Sequence, residues 1–393
     1  MIKNNIMVKN PAALKAFYRA AAKQFPYIRS DWEKYETLED GYYHFLKDLL
    51  LYPMAWLYAV WSKRGPGKTY SFLWFCYYNN IKFIYMKRND SDVSLILKNV
   101  DKIDFDPSPY KALKRDKGLN IIGVEHDAGI GGFYEADAEG KPGKLLCYVL
   151  SFKKVQKYKG FDFSEVDFIC FDEFIAQNGE RMYKSEGENL LDLYMTVRRD
   201  RMKRGRKSLK LVMFANAENI AVPATREIEI VDQMAELNFH EDQTHMYMEK
   251  RKILLHHITN DEVPISDDEK DDIYIGMQGT EWHDKAFGGL FVHNDFTNVV
   301  DRSLKGYKPI IKIIYRRHNW YILYNENKSK YYLTSKNFKA PITYDLSREN
   351  EQKRFYYDYL LDLREACIEE RFKFERYSMY DLVINYKKLF DVS

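Results

Sequence analysis

The sequence is poor in cysteine, in net charge and in long apolar runs. Its 393 residues contain four cysteines, Cys76, Cys147, Cys170 and Cys367. No two form a CxxC pair and Cys170 lies inside an apolar run, which weighs against a disulfide framework or a zinc site and predicts a reducing, cytoplasmic setting. The 61 basic and 58 acidic residues nearly cancel, to +3. The total therefore demands no polyanionic partner, and any such partner has to be sought in the local distribution of charge. No window reaches the 18 consecutive apolar residues of a membrane span. The opening MIKNNIMVKN lacks the apolar stretch of a signal peptide. Internal repeats and long low-complexity tracts are also missing, which excludes a solenoid.

What is present suits a large globular chain. Apolar residues make up 46% of the sequence, enough for a sizeable core, and aromatics 16%. The aromatic side chains are expected mainly in the core and at half-buried strand positions rather than as stacking platforms for bases. Residues 10–60 carry helical signals: Asn10 as N-cap, Pro11 at the first helical position, apolar spacings of three and four, and a break at Pro53. From Val60 onward short apolar runs at 56–61, 81–86, 166–171 and 209–215 alternate with helical stretches. Runs apolar on both faces predict buried parallel strands covered by helices, an α/β fold. Two β-rich runs occupy 119–152. The acidic segment 258–272 marks a linker, 310–334 a hairpin turning at Asn325–Lys328, and 346–376 a long amphipathic helix. The expected organisation is a large α/β domain over 1–257 with a helical N-terminal extension, a connector over 258–297, and a small α+β domain over 298–393.

Residues 62–69, SKRGPGKT, follow an apolar strand and open a helix. They match the phosphate-binding loop G-x-x-x-x-G-K-[ST], with Ser62 in place of the first glycine. Gly65 and Gly67 allow backbone N–H groups to approach an anion at a helix N-terminus. Lys68 would reach the β- and γ-phosphates and Thr69 would supply a hydroxyl to Mg²⁺. Pro66 removes one donor from the cradle. Arg64, within the loop, and Arg88, after the second strand, are candidates for phosphate contact in cis. Residues 168–173, FICFDE, deliver two acids at a strand tip: Asp172 for the Mg²⁺ shell and Glu173 as the base that activates water. This pair argues for hydrolysis of ATP and for a class with an additional strand between the phosphate-loop and acidic strands, filled by 145–151 or 81–86. Asn216, ending the strand 209–216, is placed to sense the γ-phosphate.

Eight basic residues crowd the window 198–210. Arg198 and Arg199 are candidates for an arginine finger acting on a neighbouring subunit's ATP. Arg201, Lys203, Arg204, Arg206 and Lys207 are candidates for contacts to a nucleic-acid backbone. A solvated basic loop is the alternative.

In this order and spacing, SKRGPGKT, IKFIYMKR, CFDEFI, TVRR and FANA resemble the DNA-encapsidation ATPases of small tailed bacteriophages, which are similar to terminase large subunits. The likeness extends to QGTEW, HNDF and IIKIIYRRHNWYILYN, but not to the first 50 residues. It implies an ATP- and Mg²⁺-dependent motor that moves double-stranded DNA into a prohead at the portal, as a ring that is five-membered in the best-known case, where a structural RNA sits between portal and ATPase. It also implies a C-terminal domain of RNase H-like fold. A terminase nuclease needs clustered carboxylates for two metal ions. The strands IIKIIYRRH and WYILY carry none, and Asp345 and Asp358 fall on an expected loop and helix, so a vestigial, inactive domain is expected. The alternatives are a terminase with a working nuclease, another DNA-translocating pump or helicase, or a scaffold that only binds nucleotide.

Overall fold

The computed structural model describes residues 11–98, 106–176, 182–206, 209–239, 243–291 and 294–392. The chain forms two compact units. The first contains residues up to 219 and from 237 to 292, and the second contains 220–236 and everything from 293 onward.

The first unit is built on a nine-stranded sheet of order β3-β4-β5-β2-β6-β7-β1-β9-β8. In chain order the strands are β1 Leu57–Ser62, β2 Phe83–Lys87, β3 Ile121–Asp127, β4 Ile130–Ala136, β5 Pro142–Ser151, β6 Phe168–Asp172, β7 Lys210–Asn216, β8 His245–Met248 and β9 Ile253–Ile258. The central run β5-β2-β6-β7-β1-β9 is parallel throughout. The added edges, β3-β4-β5 and β8-β9, are antiparallel. The apolar runs of the sequence form the central strands, because a strand covered on both faces is apolar along most of its length; β1 and β9 are buried at all six residues.

The helices of this unit include α1 (Pro11–Ala22), α2 (Phe45–Leu51), α3 (Lys68–Tyr78), α4 (Asp90–Ile96), α5 (Lys111–Lys117), α6 (Glu186–Lys203), α7 (Asp272–Gly276) and α8 (Glu281–Gly288). α1 begins at Pro11 as expected, while its N-cap candidate Asn10 lies outside the described residues. The aromatic richness goes into the core. Phe72 of α3 meets Phe45, Phe83, Phe168 and Phe214 edge-on, with centroids 5.1–6.0 Å apart. Such pairs gain about 0.5–1.5 kcal/mol beyond their area. All four cysteines are free and buried. Among the described residues no helix is long and apolar enough to cross a membrane.

Three sequence expectations need correction. The strand between β1 and β6 is β7, not 81–86 or 145–151, which form β2 and β5 on the far side of β6. Strand order in space is set by crossover connections, which a linear pattern does not reveal. The connector drawn at 258–297 is not a separate piece: 258–292 belongs to the first unit, and the second unit begins at 293 but also takes in 220–236. Finally, the C-terminal hairpin is a meander with an extra turn.

In the second unit, β10 (Lys308–Tyr315), β11 (His318–Asn325), β12 (Lys330–Thr334), β13 (Ile342–Asp345) and β14 (Phe372–Phe374) form a sheet of order β13-β10-β11-β12-β14. β10, β11 and β12 are antiparallel neighbours, while β13 and β14 flank them in parallel. The β10–β11 turn is Arg316–Arg317, both at positive φ, 46° and 67°. That conformation normally selects Asn or Gly, so two arginines hid the turn. The long helix runs only from Glu349 to Ile368, through a π turn at Tyr356–Leu360. Glu370 then adopts φ 56° and the chain enters β14.

Candidate nucleotide site

Parallel strands ending in polar residues at one edge create a site there, where loops diverge and helix N-termini point inward. β1, β2, β6 and β7 end in Ser62, Lys87, Asp172 and Asn216, and the register pairs Ser62 with Asn216. A cleft of about 300 Å³ opens among Arg64–Tyr70, Asp172, Glu173, Ala215 and Asn216. A second cavity of about 400 Å³, lined by Tyr42, His44, Trp74 and Arg115, shares Gly65, Gly67 and Tyr70 with it.

The loop 62–69 has the shape the sequence required. Gly65 and Gly67 sit at φ 90° and 91°, a region that side chains disfavour. Gly67 caps α3, whose first residues are Lys68 and Thr69. The Lys68 ammonium is buried. It donates to Ser62 Oγ, to the Lys63 carbonyl at 3.2 Å and to Asn216 Oδ1 at 3.4 Å. Burial lowers its pKa to about 8, against the opposing pull of Asp172. Thr69 Oγ1 donates to both Asp172 oxygens, at 3.1 and 3.2 Å. A hydroxyl and a carboxylate converging in this way are the hard oxygen donors that Mg²⁺ prefers, so Thr69 and Asp172 fit that ion, and Lys68 with the loop amides fits polyphosphate.

Glu173 stands in a left-handed conformation, φ 60°, which costs a non-glycine residue about 1–2 kcal/mol. Its surroundings hold it there. Lys87 Nζ donates to Glu173 Oε2 at 3.0 Å and lies 4.0 Å from Asp172. The Lys87 charge, ahead of the opposing effect of burial, keeps the Glu173 carboxyl below its ordinary pKa. Tyr85 OH donates to Asp172. Lys87 and Tyr85 were not singled out in the sequence. Their signal was their alternation along β2 toward a strand tip beside the acidic strand.

The arginines divide. Arg64 is exposed on the cleft's rim. Arg88 is 2% exposed and is not a phosphate ligand. Its Nε donates to Glu186 Oε1 at 2.8 Å, and its Nη2 reaches the carbonyls of Glu173 and Phe174 at 3.2 and 3.1 Å. It pins the turn that carries Glu173. Arg201 is likewise buried, at 3%, with Nη1 2.7 Å from Asp167 Oδ1. Arg206 donates to the two Asp167 oxygens at 3.0 and 2.9 Å. Asp167 enters β6 at the end opposite the cleft, so these two arginines anchor the end of α6 instead of presenting a nucleic-acid surface. Lys203 and Arg204 are exposed. Lys207 lies outside the described residues. Arg198 and Arg199 are exposed on α6, about 18 Å along its axis from Glu186 at 1.5 Å per residue, too far to serve the cleft beside Arg88.

Residues 286–291 back the phosphate loop. His257 Nε2 meets the Gly289 carbonyl at 3.2 Å, and burial depresses the His257 pKa to about 4, so the neutral ring donates. Gly289 has φ 66°, and a Cβ there would fall 2.5 Å from the Lys63 nitrogen.

No protein-family model and no curated protein sequence matches the chain. Solved structures do. The bacteriophage phi29 viral genome packaging motor assembly superposes with a TM-score of 0.57 at 17% identity, over 89% of this chain and 99% of that one. The chain has the fold of a phage genome-packaging motor subunit. The phi28 gp11 DNA packaging motor gives a TM-score of 0.52 at 15% identity, over 92% and 99% of the two chains. This packaging-motor fold spans both units of the chain, and its large sheet carries the phosphate loop and the acidic pair at one edge.

Proposed function

We propose that the protein is an ATP-driven motor that translocates double-stranded DNA into a phage prohead. The observation that carries this reading is the convergence of Lys68, Thr69, Asp172, Glu173 and Asn216 at one edge of a sheet of packaging-motor fold. The Lys68 ammonium and the loop amides bind the phosphates, Arg64 borders them, and Thr69 and Asp172 hold Mg²⁺, which supplies charge neutralisation at the γ-phosphate. Glu173 accepts the proton of the attacking water and Asn216 orients the water or a phosphate oxygen. The interposed strand β7 together with Glu173 supports the additional-strand, catalytic-glutamate class. Arg198 or Arg199, exposed and remote from the cleft of its own chain, acts on the ATP of a neighbour, which calls for a ring, five-membered by resemblance. DNA contacts fall to Lys203, Arg204 and Lys207.

The C-terminal unit is taken as RNase H-like and without nuclease activity. Asp345, at the end of β13, meets Ser347 and Arg348, and Asp358 meets Tyr344 at 2.7 Å and Arg354. The partners in this reading are duplex DNA, the portal vertex of a prohead and, in some relatives, a packaging RNA, met in the cytoplasm of a host cell.

ATP turnover measured with and without duplex DNA, in the native protein and in Glu173→Gln, tests the reading. DNA-stimulated turnover that disappears in the variant is expected. Turnover indifferent to DNA would favour a generic NTPase, and metal-dependent cleavage of a plasmid would restore an active nuclease.

A further inference from the structure

A second cluster of chemistry-bearing side chains lies outside the nucleotide cleft. His245 of β8 and His256 of β9 stand directly opposite in the antiparallel ladder, and their rings stack with centroids 3.7 Å apart. Asp48, from α2, reaches between them. Its Oδ2 is 2.8 Å from His256 Nδ1 and its Oδ1 is 3.3 Å from His245 Nε2. The three donor atoms lie within 4.8 Å of one another. Each ring's outer nitrogen already has a partner: His256 Nε2 meets Glu262 Oε2 at 2.8 Å, and His245 Nδ1 meets Thr244 Oγ1 at 2.8 Å. Tyr43 OH donates to Asp48 Oδ2 at 2.9 Å.

Protons alone balance the charges of this cluster only at a cost. Asp48 and His256 are each 1% exposed, and two carboxylates face two imidazoles. With both rings neutral, the buried Asp48 carboxylate is left uncompensated beside the partly exposed Glu262, which is costly. With both rings protonated, two like charges face each other at stacking distance. One divalent cation among the three inner donors balances both carboxylates at once.

We propose that Asp48, His245 and His256 form a site for a divalent transition-metal ion, with zinc the best match to a donor set of two imidazoles and one carboxylate. His256 coordinates through Nδ1 and keeps its Nε2 proton on Glu262. His245 coordinates through Nε2 and keeps its Nδ1 proton on Thr244. Any proton held on the two inner nitrogens passes to solvent as the metal enters. A ligand histidine held by a carboxylate or hydroxyl on its other nitrogen is the usual outer arrangement of such sites. The ion would tie α2 to the β8–β9 hairpin, joining residues 197 positions apart in sequence. It acts as a structural staple and takes no part in ATP hydrolysis, so the proposal stands apart from the motor reading.

The test uses the full chain, without an affinity tag, stripped with chelator and kept in excess Mg²⁺ so that the oxygen donors at Thr69 and Asp172 are occupied. Co²⁺ is titrated as the probe. Saturable visible d–d absorption at one equivalent, displaced by one equivalent of Zn²⁺, is expected, with a rise of several degrees in melting temperature. His245→Ala, at a half-buried edge position, and the near-isosteric Asp48→Asn should both abolish the absorption and the shift. Absent bands in the native protein, or bands that persist in both variants, overturn the proposal. If the variants do not fold, the native titration decides alone: without bands and without a zinc-dependent shift, the cluster is a proton-balanced salt bridge.

Discussion

Replacing Arg88 by Met removes the cation that holds together the turn carrying Glu173. Glu186, its partner, is completely buried, and Arg88 is 2% exposed. Breaking a buried pair from one side strands the other charge and costs about 3–5 kcal/mol. Glu186 is the first residue of α6, and the helix N-terminus offsets about 0.3–1 kcal/mol of that. A net loss of about 2–5 kcal/mol is therefore expected in urea unfolding, read as a lower midpoint at unchanged slope. Glu186→Gln should cost less, because it leaves a neutral amide against Arg88, and the double variant should cost clearly less than the two single losses added together. ATP turnover should fall as well, since the Glu173 and Phe174 carbonyls lose their shared donor. Arg88→Lys, which keeps the charge but not the fork, should recover stability better than turnover. A loss below about 1 kcal/mol, or strict additivity in the cycle, would refute the assignment of Arg88 as a buried pin.

Lys87→Met should move the acid limb of the pH–rate profile upward, because the Lys87 charge is the chief influence lowering the Glu173 pKa; an unmoved limb would detach Lys87 from the base. ATP binding should take up a proton above pH 8. Burial holds Lys68 at about 8 in the free protein, phosphate charge raises it again, and affinity should weaken by about tenfold per pH unit above that value. Calorimetry at pH 9 in buffers of different ionisation enthalpy reads the uptake, and equal heats would count against it. Gly289→Ala should lower both the melting temperature and nucleotide affinity, since it forces a Cβ into the phosphate loop at a positive φ. Gly288→Ala, whose Cβ would meet only Leu290 at 3.5 Å, is the neutral control, and equal behaviour of the two would undo the packing account.

The candidate nucleotide site was legible as a pattern because its residues are local. A strand, a glycine turn and a helix N-terminus occupy consecutive residues, and the acidic pair ends an apolar run. What escaped the sequence depends on long-range pairing. Lys87 and Arg88 are adjacent and both cationic, yet one faces Glu173 and the other is buried against Glu186, because successive residues of a strand's end point to opposite faces. The window 198–210 is crowded with basic residues, but Asp167, in a distant segment, takes Arg201 and Arg206. The Asp48–His245–His256 cluster contains no cysteine and no short spacing, so counting thiols could not find it. The Arg316–Arg317 turn broke the residue preference on which hairpin reading depends.

The interleaving of the two units has a consequence for synthesis and for engineering. Residues 220–236 belong with the C-terminal unit: Arg226 is paired with Asp381 through two 2.7 Å contacts, and Asp232 accepts from Ser378 at 2.8 Å. The chain therefore passes between units three times, and no single cut separates them. During translation the segment leaves the ribosome long before its partners exist, so Arg226 and Asp232 must wait for Asp381 and Ser378 in the last quarter of the polypeptide. A fragment ending at residue 292 would keep the whole nine-stranded sheet yet carry an unsatisfied adhesive segment in its middle. Clean dissection of this protein calls for replacing 220–236 with a short polar bridge.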